Sequence, residues 1–111
     1  MKKLVICAVL ALSLLGLSTS AFATTITHDS TGHSFTSSWE AYDSGGSWSM
    51  HYGFNTFMVN EDYTHAIHQQ LGNIAKVTNG NGTFEDYDSP GYWAEIDVQH
   101  SGSYVVYRMV F

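Results

Sequence analysis

The chain has 111 residues, of which 44% are hydrophobic and 13% charged, with one cysteine and one proline. Its ten Asp and Glu stand against four Lys and Arg, and two of those cations, Lys2 and Lys3, lie at the very start, so that from residue 24 onward only Lys76 and Arg108 balance the acids. Such a chain forms one small domain, and it lacks the phosphate-facing cations that nucleic-acid binding requires.

The first 23 residues read as a signal peptide: a basic start, an apolar run over residues 4–17, and Ala21-Phe22-Ala23, the small-x-small pattern that a signal peptidase cleaves after. The apolar run is shorter than the ~20 residues that a membrane-spanning helix needs. The expected product is a secreted, extracellular protein beginning at Thr24. Its only cysteine, Cys7, leaves with the leader, so no disulfide is available and the domain must hold together through its core, a metal or a partner chain.

Residues 24–44, rich in Ser and Thr, form an N-terminal extension that is either an added strand, around residues 34–42, or a flexible arm. From residue 45 the strand signals are regular. Trp48, Met50 and Tyr52 share one parity and Ser47, Ser49 and His51 the other, which predicts a half-buried strand. Residues 62–71 read as irregular. Short strands are expected at 74–77 and 84–87, joined through Asn79-Gly80-Asn81-Gly82, a sequence suited to positive φ. Ser89-Pro90-Gly91 predicts a turn. Tyr92, Ala94, Ile96 and Val98 then alternate with Trp93, Glu95 and Asp97. Past His100-Ser101-Gly102, residues 104–111 are apolar on both parities, as in a strand covered on two sides or lying in a dimer contact, and the last two strands read as a hairpin. The fold class these signals predict is all-β, a small antiparallel β-sandwich of two short sheets, with residues 45–111 as its domain.

The predicted ligand-binding residues are Trp48, Tyr52 and Trp93. Aromatic faces flanked by polar groups stack on sugar or isoprenoid surfaces, although the parity of Trp48, Met50 and Tyr52 equally suits a core face. His65 and His68 could share a metal only if their segment were helical, and Glu85, Asp86 and Asp88 match no EF-hand spacing; no cofactor is expected. The chain lacks a Gly-x-Ser-x-Gly elbow, a phosphate-cradling glycine loop, a His-Glu-x-x-His pair and, past the leader, a cysteine nucleophile. The expectation is a binding protein and not an enzyme.

Gly46-Ser47-Trp48 followed by Tyr52-Gly53, Tyr63, Ala75-Lys76-Val77 ahead of an Asn-rich turn, then Gly91-Tyr92-Trp93-Ala94 and an aromatic last strand, resemble in order and spacing the lactococcin 972 family of secreted bacteriocins. The resemblance spans residues 45–111. It implies a sandwich of two antiparallel sheets and a homodimer. It also implies an antimicrobial role: binding the cell-wall precursor lipid II and blocking septum formation in related Gram-positive bacteria, with an immunity membrane protein and a transporter encoded nearby. Glu95 stands where that pattern has a lysine, and the acidic balance reverses the sign of the family's better-known member. The alternative is a secreted, non-toxic cell-surface or carbohydrate-binding β-sandwich module.

Overall fold

A computed structural model describes residues 22–111, so all of the expected leader but Phe22 and Ala23, and with it Cys7, lies outside the described residues. Among these, the chain forms eight strands and no helix: β1 (Thr25–Asp29), β2 (Trp39–Ser44), β3 (Trp48–Asn55), β4 (Glu61–His68), β5 (Asn73–Asn79), β6 (Gly82–Asp88), β7 (Ala94–Gln99) and β8 (Val106–Val110). They make two four-stranded sheets, ordered β1-β8-β5-β6 and β2-β3-β4-β7, with every neighbouring pair antiparallel. The predicted β-sandwich is the fold observed.

The core follows from the period of two that a pleated strand imposes. Met50, Tyr52 and Phe54 on β3, Ala66 on β4 and Ala94 on β7 face Ala75 and Val77 on β5 and Tyr107 and Met109 on β8, all buried. Small alanines opposite large rings let the layers interdigitate. Trp39, Trp48, Ile26, Ile96, Val98 and Phe111 close the rim. The Ser89-Pro90-Gly91 turn forms as predicted: the Tyr92 amide donates to the Ser89 carbonyl, and Gly91 takes a φ of 82°, which a side chain would disfavour.

Three expectations are corrected. Residues 62–71 are not irregular, because most of them belong to β4, which lies between β3 and β7. Its inward positions are Asp62, Thr64, Ala66 and His68, polar apart from one alanine, so no hydrophobic alternation marks it. Their polar atoms are satisfied within the fold, where the Thr64 hydroxyl donates to the Lys76 carbonyl and the Nδ1 of His68 accepts the amides of Gln70 and Leu71. Asp62 accepts the Asn79 amide and the His100 Nδ1–H.

Secondly, β7 and β8 are not a hairpin: β7 pairs with β4 in the second sheet, and β8 pairs with β1 and β5 in the first. Residues 100–105 cross between the sheets, held by the His100 amide on the Asn60 carbonyl and by the Val105 amide on Ser30 Oγ. The third correction concerns residues 24–44, which are not a flexible arm; they supply one edge strand to each sheet. β1 hydrogen-bonds along the edge of β8 that faces away from β5. Thr24 and Phe111 exchange backbone hydrogen bonds of 2.7 and 2.9 Å, so the two ends of the described chain meet. The edges β1 and β2 are stitched across the sandwich by His28 Nε2 and Asp43, 2.8 Å apart.

Candidate functional site

The outward positions of the second sheet hold a continuous set of polar and aromatic side chains. Strand register builds one row from Glu40, Gly53, Tyr63 and Asp97, and the next from Tyr42, His51, His65 and Glu95. Gly53 keeps the first row open: a Cβ there would run into the Trp39 carbonyl oxygen, and the bare position lets Glu40 and Tyr63 join across β3. The Tyr63 hydroxyl donates to one Glu40 oxygen at 2.6 Å, and the Tyr42 hydroxyl donates to the other. His65 Nε2 lies 2.9 Å from Asp97 Oδ1. Glu40, Tyr63, His65 and Asp97, with Ser38 and Asn55, line an open groove of about 500 Å³.

Beside the groove runs an aromatic ladder. Tyr42 meets His51 edge to face at a centroid distance of 4.5 Å, and His51 meets Trp93 at 5.1 Å, so the indole reaches over β4 from the start of β7. Trp93 is 38% exposed, leaving part of its ring open to a ligand.

The electrostatics of the groove suit acceptance of hydrogen bonds. Partial burial acts to raise the Glu40 pKa, yet the hydrogen bonds from Tyr42 and Tyr63 and the nearby imidazoles of His51 and His65 outweigh it, and the carboxyl is held below its ordinary value of 4.5. Burial, followed by the bond to Glu40, pushes the Tyr63 phenol well above its usual range, and the bond to Glu40 raises Tyr42 as well. Both phenols stay protonated at physiological pH. Because Glu40 binds its proton less tightly when folded, it stabilises the fold above the ordinary glutamate range and loses that contribution as pH falls through the lowered value. The melting-temperature difference between the wild type and Glu40→Gln is therefore expected to shrink as pH is lowered from 7 to 3, read by thermal melts. A gap that widened towards acid would contradict the assignment.

Of the three residues predicted from sequence, only Trp93 lies on this face. Tyr52 is buried between the sheets, stacked on His28 at 4.7 Å. Trp48 is half-buried at the core rim against Phe111, its indole pressed on Gly45, where a Cβ would clash. The three do not converge. Glu40, Tyr42, His51, Tyr63, His65 and Asp97 were not singled out as one site, and parity alone could have grouped them only if the pairing of β2, β3, β4 and β7 had been known.

His65 and His68 lie on a strand, where residues three apart face opposite sides; His65 points outward and His68 is buried. Glu85 faces outward to Lys76 at 3.4 Å, whereas Asp86 accepts the Glu95 amide at 3.0 Å. Neither cluster is assembled as a set of metal ligands. No family model matches the chain, and no match is found among curated proteins or solved structures.

Proposed function

We propose that the chain is a secreted, non-enzymatic, bacteriocin-like antimicrobial protein that acts by binding a glycan of the cell envelope, such as the sugar portion of lipid II, on the outer face of its second sheet. The observation that carries this reading is the ladder of Tyr42, His51 and Trp93 beside a groove of hydrogen-bond acceptors. Sugars offer apolar ring faces to an indole and hydroxyl donors to carboxylates, and this surface has both partners. Glu40, Glu95 and Asp97 repel a pyrophosphate, so the sugar is the better match. Glu40 is held ionised by its two phenol partners, which suits it to accept hydrogen bonds from sugar hydroxyls.

The killing activity and the homodimer rest on the sequence resemblance. The acidic face favours a second reading, a non-toxic carbohydrate-binding module of the cell surface, since like charge opposes approach to an anionic envelope. Titration calorimetry of residues 24–111 with a soluble muropeptide disaccharide tests the shared part. Trp93→Ala is expected to weaken binding about tenfold through loss of stacking. Absence of binding by the wild type, or equal affinity in both proteins, would remove this face as the site. Growth inhibition of Gram-positive cells by the same protein then separates the two readings.

A further inference from the structure

The connections at one end of the sandwich, residues 30–38, 56–60, 80–81 and 100–105, contain no Asp, Glu, Lys or Arg, although the chain has ten acidic residues. They are tied into one surface. The Thr56 amide donates to Ser38 Oγ at 2.9 Å, the His100 amide to the Asn60 carbonyl, and the Gly80 amide to the Ser101 carbonyl. From this surface project three consecutive apolar side chains, Phe57, Met58 and Val59, which are 76%, 85% and 54% exposed.

Their backbone is held in place: the Phe57 amide donates to Asn55 Oδ1, the Val59 amide to the Phe57 carbonyl, and Met58 takes a φ of 68°, unusual for a residue with a side chain. The opposite end of the sandwich differs, with exposed Leu71 and Tyr92 on separate loops. The four connections supply Ser, Thr, Asn and Gly to this end. Two carboxylates border this end: Glu61 at the start of β4, and Asp29 at the end of β1, which accepts the Thr31 amide and the Tyr104 hydroxyl.

The geometry points to a membrane-docking tip: residues 57–59 insert into the interfacial region of a lipid bilayer while the hydroxyl-rich rim meets the headgroups. A bilayer takes a projecting apolar tip without a complementary surface. A second protein copy would need roughly 800 Å² of matched surface per partner, far more than three side chains on one loop provide. Charge is costly at membrane depth, and the four connections carry none from Asp, Glu, Lys or Arg. None of the four connections carries Lys or Arg, so the insertion of residues 57–59 has no need of anionic lipid. The tip adjoins the proposed glycan groove, since Ser38 and Asn55 line that groove and also hold the amides of Thr56 and Phe57, but residues 57–59 do not line it, so their substitution tests the tip alone.

The test is flotation of residues 24–111, which hold all eight strands and omit the apolar run of residues 4–17, with phosphatidylcholine vesicles and with vesicles that also contain phosphatidylglycerol. The vesicles contain no glycan, so the result is independent of the sugar reading. The wild type is expected to float with phosphatidylcholine vesicles, no better when phosphatidylglycerol is added. A variant combining Phe57→Ser, Met58→Ser and Val59→Ser is expected to lose at least about tenfold in partitioning while keeping the wild-type melting temperature. A Met58→Trp reporter is expected to show blue-shifted emission on vesicles. No flotation of the wild type, equal flotation of the triple variant, or binding that requires phosphatidylglycerol would overturn the proposal. So would self-association of the wild type that the triple variant abolishes, which would assign the tip to a second copy of the chain.

Discussion

Asp62→Ala is expected to destabilise the fold by about 3–5 kcal/mol, the usual cost of removing one member of a fully buried polar pair. Asp62 is fully buried on β4 and accepts hydrogen bonds from Asn79 Nδ2 at 2.9 Å and from His100 Nδ1 at 2.9 Å. Asn79 belongs to the other sheet, and its Nδ2 also donates to the Gln99 carbonyl. One carboxylate therefore binds both sheets and the crossing between them. Alanine would strand the Asn79 amide and the His100 imidazole in the interior, whereas Asp62→Asn keeps an acceptor oxygen and should cost clearly less. Urea denaturation of the two variants reads the difference, and equal midpoints would mean that packing, not hydrogen bonding, sets the role of this position.

Phe54→Ala carries the other large expectation, a loss of about 3–5 kcal/mol from truncating a buried aromatic residue. Phe54 is almost wholly inaccessible, and its ring meets Phe35 edge to face at 5.1 Å and His100 at 5.1 Å. The substitution opens a cavity where β3, the connection after β1 and the crossing after β7 come together. Small domains keep only about 5–15 kcal/mol of net stability, so the variant should unfold at a much lower urea concentration or fail to fold at room temperature. A midpoint like that of the wild type would show that Phe35 and its neighbours collapse into the space.

The parts of the fold that were legible were those whose two faces differ in chemistry. β3 alternates large apolar residues with Ser and His, and β7 alternates Ala94, Ile96 and Val98 with Glu95 and Asp97, so each announced its buried side. The Asn-Gly turn and the Pro-Gly turn announced themselves through backbone preference. β4 was silent because its burial is polar: Asp62 and Thr64 are accommodated by Asn79 and the Lys76 carbonyl, distant in sequence, and His68 by the backbone amides of Gln70 and Leu71, which leave no mark on the hydrophobic pattern. β8 was found, but its partners were misassigned, since two apolar faces say that a strand is covered without saying by what. The candidate site shows the same limit. Trp93 could be picked from its acidic neighbours in parity, yet Glu40 and Tyr63 become a pair only once β2, β3 and β4 lie side by side with Gly53 between them.

The meeting of Thr24 with Phe111 has a consequence for how the chain comes into being. Among the described strands β1 is made first, and its only sheet neighbour is β8, made last; β5 also lacks one of its two neighbours until β8 arrives. At roughly 5–20 residues per second, β1 spends on the order of ten seconds of synthesis without its partner. The first sheet therefore closes only once β8 has been made. Until then the edges of β1 and β5 that β8 covers stay unpaired.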